Sequence, residues 1–265
     1  MAVCDALLTA AKVALIFAIG FPLLMYLVQD RLIFMPRPLP DSQRAAIANP
    51  PVESLFIQAP DGTRLHAWHV RAAPASRLVM YFGGNAEEVS WMLHEAGNRI
   101  PAASWLLVDY RGYGSSGGSP SETALVADAL QWHDQLSKTY PTIHVFGRSL
   151  GSGVAVQLAA QRPVAGVILV APFDSMVEVG KHHYPFLPVG WMLRHRFDSA
   201  AAAPRITAPL LCVVAGRDEI IPAARSQRLY EAWGGPKRWV ALEGAGHNST
   251  DEHASYWPSI LAFLK

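Results

Sequence analysis

The apolar positions of this chain come in two kinds of run. From Val13 to Val28 the sequence reads VALIFAIGFPLLMYLV without a charge, and Ala6 to Ala11 extends it past Lys12, whose long stem can snorkel. This length predicts an N-terminal transmembrane helix within residues 1–30, an uncleaved membrane anchor. The rival readings are a buried soluble helix and a removed signal peptide; against the latter, Gln29, Asp30, Arg31 and LIFMPRPLP follow, with no A-x-A-like cleavage site. Lys12 and the amino terminus on one side, and Arg31 and Arg37 on the other, leave the side of the membrane open.

Pro36, Pro38, Pro40, Pro50 and Pro51 then predict an extended linker over 31–52, with a single catalytic-sized domain over 53–265. Beyond the linker the apolar runs are short and rich in β-formers: SLFIQ, LHAWHV, RLVMYF, SWLLVDY, TIHVF, GVILV, LLCVV and RWVAL, most of them separated by helical patterns. The first two flank the turn Pro60-Asp61-Gly62 and predict an antiparallel hairpin; the rest read as parallel strands covered on both faces. The expectation is an α/β fold with a mostly parallel eight-stranded sheet. About 172–207 the alternation breaks, and HHYPFLPVGWMLRHRF predicts a small lid above the sheet, with Tyr184, Phe186, Leu187, Val189, Trp191, Met192 and Leu193 as its apolar wall.

Charge narrows the function. Twenty-two Lys and Arg against 21 Asp and Glu, with no basic block, do not suit nucleic-acid binding. Cys4 and Cys212 form neither a disulfide framework nor a zinc spacing, no metal-ligand motif occurs, and no cofactor is implied.

The chemistry gathers where strands end. TIHVF runs into Gly147-Arg148-Ser149-Leu150-Gly151 and then SGVAVQLAAQ, a G-x-S-x-G in a strand–turn–helix setting. So tight a turn lifts a serine hydroxyl above the sheet and leaves room only for glycine beside it. Gly114-Ser115-Ser116-Gly117-Gly118 fits the same pattern, but no strand delivers Ser116 and no helix receives it. A nucleophilic serine needs a base and a carboxylate to orient that base. His247 follows RWVAL in Gly244-Ala245-Gly246-His247-Asn248, and Asp218 follows LLCVV in Ala215-Gly216-Arg217-Asp218. Asp174, after GVILV, is an alternative acid, with helix capping as its other role. An oxyanion hole would use the amides of Leu150 and Asn85, the latter in Gly83-Gly84-Asn85-Ala86-Glu87 after RLVMYF.

With Leu32–Pro36, Gly84–Glu87, Asp109-Tyr110-Arg111-Gly112-Tyr113-Gly114, Gly147–Gly151, Gly216–Asp218 and Gly246–Asn248, the chain resembles α/β-hydrolases of the branch holding animal protein depalmitoylases and bacterial membrane-anchored hydrolases. Many relatives have His-Gly-Asn where this chain has Gly83-Gly84-Asn85. The resemblance implies a serine hydrolase acting on a small-molecule or lipid-like acyl ester or thioester, with Arg111 and Tyr113 shaping their loop. A serine aminopeptidase-like enzyme and a non-catalytic membrane-bound binding protein on the same fold are the alternatives.

Overall fold

The computed structural model describes residues 2–49, 51–73 and 76–265. An eight-stranded sheet is built from β1 (Val52–Gln58), β2 (Arg64–Val70), β3 (Arg77–Phe82), β4 (Ser104–Val108), β5 (Thr142–Arg148), β6 (Gly166–Val170), β7 (Leu210–Ala215) and β8 (Lys237–Leu242), in the order β1-β2-β4-β3-β5-β6-β7-β8. The β1–β2 and β2–β4 pairs are antiparallel, and every other pair is parallel. The mostly parallel sheet matches the expectation from the apolar runs.

Alternate side chains of each central strand enter different cores, which is why those strands carry no polar face. From β3, Leu78, Met80 and Phe82 join one core with α4 (Glu122–Leu136), α5 (Leu150–Ala159) and α9 (Ala223–Ala232). Val79 and Tyr81 join the opposite one, with α3 (Met92–Arg99) and α10 (Tyr256–Phe263). Between β6 and β7 lie three short helices, α6 (Met176–His183), α7 (Val189–Met192) and α8 (Ser199–Ala202), in the interval expected for the lid.

The N-terminal segment departs from expectation. Helix α1 runs from Ala2 to Ile33, and the stretch expected to be extended holds its last residues and a second helix, α2 (Asp41–Ile47). Among the described residues no helix is long and apolar enough to cross a membrane, so a transmembrane helix over 1–30 is not shown. Several side chains between Ala2 and Phe17 lie outside the described residues. The C-terminal part of α1 is tied into the hydrolase fold: Gln29 is buried, Phe34 just beyond the helix sits in the core, and the amide of Met35 donates to Asn85 Oδ1 at 2.8 Å. Residues that read as anchor and linker therefore close the domain on one side.

Candidate active site

Ser149 stands where β5 turns into α5. Its backbone has φ +50° and ψ −117°, a strained conformation for a residue with a side chain. The turn is held by the Ser149 amide, which donates to Val170 O at 2.9 Å, and by Ser152, whose hydroxyl donates to Ser149 O at 2.6 Å. The flanking glycines follow from space: a Cβ on Gly151 would lie 2.0 Å from Phe82 O, and one on Gly147 would lie 2.3 Å from Gly151 O. Helix α5 therefore presses directly on β3, and the serine is lifted over the sheet edge.

His247 and Asp218 reach Ser149 from the loops after β8 and β7. These loops are joined by the Gly216 amide to Leu242 O and the Arg217 amide to Ala245 O, both 2.9 Å. Asp218 Oδ2 lies 2.8 Å from His247 Nδ1, and His247 Nε2 lies 2.9 Å from Ser149 Oγ. The other Asp218 oxygen accepts the amides of Ile220 and Ile221 at 2.9 and 2.7 Å. A carboxylate satisfied in this way only accepts, so the proton sits on Nδ1 and Nε2 is free to take the proton of the serine hydroxyl.

Asp174 is placed elsewhere. Its carboxylate accepts the Ser175 amide at 2.8 Å and Arg225 Nη1 at 3.1 Å. The cap of α6 is Ser175, whose hydroxyl accepts the Glu178 amide, so Asp174 does not take the capping role. Burial pushes the Asp174 carboxyl above its ordinary range, offset in part by the Ser175 amide and the two nearby arginines, Arg225 and Arg228.

Ser116 is likewise structural. Its hydroxyl accepts the His66 amide and donates to Asp109 O, both at 2.8 Å. A second serine–histidine–aspartate line lies close by: Ser54 Oγ is 2.8 Å from His66 Nε2, and His66 Nδ1 is 2.7 Å from Asp109 Oδ2. The imidazole is fully enclosed, edge-on to Trp68, and Asp109 also accepts the Ser115 amide at 2.7 Å. This line pins the 109–116 turn to the hairpin.

The amides of Leu150 and Asn85 make no hydrogen bond to the described residues, and both residues line the cavity with Ser149. The Asn85 side-chain oxygen is engaged by the protein itself, accepting from Met35 N and from Tyr113 Oη at 2.8 Å. Burial pushes the Tyr113 phenol up to about 12, although the Met35 and Ala86 amides it faces pull it down, so it stays a proton donor to Asn85. Tyr110 Oη adds a bond to Gly83 O at 2.8 Å, so the 109–113 loop supports the loop carrying Asn85. Arg111 serves its own loop through a two-pronged bond to Asp128, at 2.7 and 2.8 Å.

Arg148 and Glu87 form a link that no sequence motif pairs. Arg148 Nη1 meets Glu87 Oε2 at 3.0 Å, while its Nη2 donates to His247 O at 3.3 Å and Asn248 Oδ1 at 3.1 Å. Glu87 also accepts the Gly84 amide and Tyr81 Oη, each at 2.6 Å. One guanidinium thus bridges the Asn85 loop and the His247 loop across the serine, using the planar fork that lysine lacks. The only sequence signal was an arginine inside the serine turn and a glutamate in a glycine-rich loop.

Above Ser149 opens a cavity of about 260 Å3. The lid supplies Met176, Val179, Tyr184, Leu187, Met192 and Leu193. Val189 also lines it, whereas Phe186 and Trp191, expected in that wall, are 71% and 95% exposed. Short irregular helices have no sequence periodicity long enough to say which side faces in. His183 lines the cavity with Nε2 donating to Ile220 O at 2.8 Å. The opposite wall is α1, through Met25, Tyr26, Gln29, Leu32 and Ile33. Among the described residues no carboxylate lines the cavity.

Residues 122–265 match the model of a family described as serine hydrolase. An uncharacterised Mycobacterium tuberculosis protein, Rv2307c, is 38% identical over 94% of this chain and 90% of its own length. Alpha/beta hydrolase domain-containing protein 17C of Mus musculus is 31% identical over 80% of this chain and 68% of its own. Among solved structures, the Pyrococcus furiosus esterase Pf2001 superposes with a TM-score of 0.68 at 17% identity, over 88% of this chain and 98% of that one, a likeness of fold.

Proposed function

The chain belongs to the serine hydrolases of the α/β-hydrolase fold, and from that premise we propose that it cleaves an acyl ester or thioester with an apolar acyl chain, through an acyl-enzyme on Ser149. The observation that carries this reading is an apolar cavity opening directly on a serine already bonded to a carboxylate-oriented histidine. As Ser149 Oγ attacks the carbonyl carbon, its proton passes to His247 Nε2, and Asp218 stabilises the imidazolium that forms. The amides of Asn85 and Leu150 receive the oxyanion. His247 then returns the proton to the departing oxygen or sulfur, and a water activated by the same histidine releases the acid.

Among the described residues the cavity has no carboxylate to pair with a substrate ammonium, which favours an acyl ester over an aminoacyl amide. On p-nitrophenyl esters of graded chain length, kcat/KM is expected to rise at least tenfold from acetyl to medium-chain esters, with an aminoacyl amide cleaved far more slowly. A flat or falling series, or preference for the amide, would sink the reading.

The localisation that we propose is a membrane, reached through α1. Its exposed leucines and isoleucines before Gly20, namely Leu7, Leu15, Ile16 and Ile19, are apolar surface that water disfavours and lipid accepts. Full-length protein expressed in cells should stay in the membrane pellet through a carbonate wash, while a variant beginning at Gly20 should move to the supernatant. Release of the full-length chain by salt alone would replace insertion with electrostatic attachment.

A further inference from the structure

The residues that α1 gives to the cavity, Met25, Tyr26, Gln29, Leu32 and Ile33, recur at helical spacing and so form one stripe along one face. On other faces of the same turns Leu23, Leu24 and Leu27 are exposed. The stripe has a direction. Met35, just past the end of α1, touches Asn85 beside Ser149, so Ile33 lies near the reacting centre and Met25 further out, about 12 Å along the axis at 1.5 Å per residue.

A specific latch seats this stripe against the lid. Gln29, 5% exposed, accepts the Arg194 amide through Oε1 at 2.8 Å, and its Nε2 donates to Tyr26 O at 2.8 Å and to Met192 O at 3.2 Å. Asp30 Oδ1 pairs with Arg194 Nη2 and His195 Nε2, both at 2.9 Å. The other nitrogen of His195 accepts the Glu122 amide, so the neutral ring donates to Asp30. The Arg194 guanidinium also lies 5.2 Å from the centre of the Tyr26 ring. A buried amide inside an apolar helix is costly unless bonded, and here its partners outside the helix come from the lid.

We propose that α1 is a specificity element of the active site: the acyl chain of the substrate lies along the Met25–Ile33 stripe between α1 and the lid, and Met25 sets how much chain the site accepts. The inference rests on the acyl-ester reading given above. It makes the segment that read as an anchor into a wall of the pocket, and a chain beginning after Asp30 would lack the outer part of that wall, Met25, Tyr26 and Gln29, together with the latch.

The test uses the full-length protein in one detergent, with the p-nitrophenyl ester series and fluorophosphonate labelling as the check that the triad is intact. Met25→Trp should lower the ratio of kcat/KM for the longest well-cleaved ester to that for the acetyl ester at least tenfold, and move the optimum to shorter chains. Met25→Ala should move it to longer chains, which keeps the proposal testable if the tryptophan variant fails to fold. Leu27→Trp, on an exposed position of the same helix, should leave the profile unchanged. A wild-type series that rises with chain length while both Met25 variants superpose on it overturns the role of α1 and spares the acyl reading. Equal shifts from Leu27→Trp and Met25→Trp also overturn it, since they would report partitioning into detergent. A flat wild-type series overturns both readings.

Discussion

Ser149→Ala is expected to lower hydrolysis by at least about ten-thousandfold and to abolish fluorophosphonate labelling, with the fold unchanged. Both readouts need an oxygen whose proton His247 can remove, and alanine keeps the Cβ in the same strained turn. The turn itself is held by backbone groups and by Ser152, none of which the substitution touches. Ser116→Ala separates the two serine turns from each other. It removes a buried hydroxyl with two hydrogen bonds, so it should cost about 1–3 kcal/mol of stability while labelling proceeds at the wild-type rate. Full labelling of Ser149→Ala, measured by gel fluorescence beside circular dichroism, would remove Ser149 as nucleophile. It would also return the non-catalytic reading to contention.

The sheet was legible because burial on both faces leaves a plain mark, a run such as GVILV with no polar alternation, and β6 is buried at every position. The serine turn was legible for a steric reason: two glycines two residues either side of a serine, between a strand pattern and a helix pattern, mark a place where backbones crowd and a hydroxyl is raised. The residues that link loops left no comparable mark. Arg148 and Glu87 are far apart in sequence, and their pairing depends on how the loops after β3 and β8 converge on the serine. Nothing periodic encodes that convergence.

Helix α1 shows the limit most clearly. An apolar run of that length reads the same whether its far side meets lipid or protein, because both exclude water. What distinguished them was Gln29, a polar side chain continuing the Met25–Tyr26 face, followed by Leu32 and Ile33 at the spacing of the same face. At the edge of an anchor, Gln29 would be an ordinary interfacial residue. Its value emerges only with the lid backbone at Met192 and Arg194 in place to satisfy it.

Asp218→Asn is expected to lower kcat by about a thousandfold or more, and Asp174→Asn by less than about tenfold. Asp218 holds its orientation by accepting two amides, Ile220 and Ile221, on Oδ1, which leaves Oδ2 for His247. An asparagine that keeps those amides on its oxygen must present its NH2 to His247 Nδ1. The imidazole is then driven to the tautomer with its proton on Nε2, facing a serine that it can no longer deprotonate. Turning the asparagine over would restore the tautomer but set its NH2 against two backbone donors, so neither orientation rescues catalysis. Asp174 has no such bond to the imidazole; its partners are Ser175 and Arg225, at the base of the lid. Its loss should therefore appear as a lower melting temperature with a kcat loss of less than about tenfold. Steady-state kinetics on a saturating medium-chain ester, with thermal melts of both variants, would decide the matter. A thousandfold loss at Asp174 with a mild effect at Asp218 would move the acid to the loop after β6.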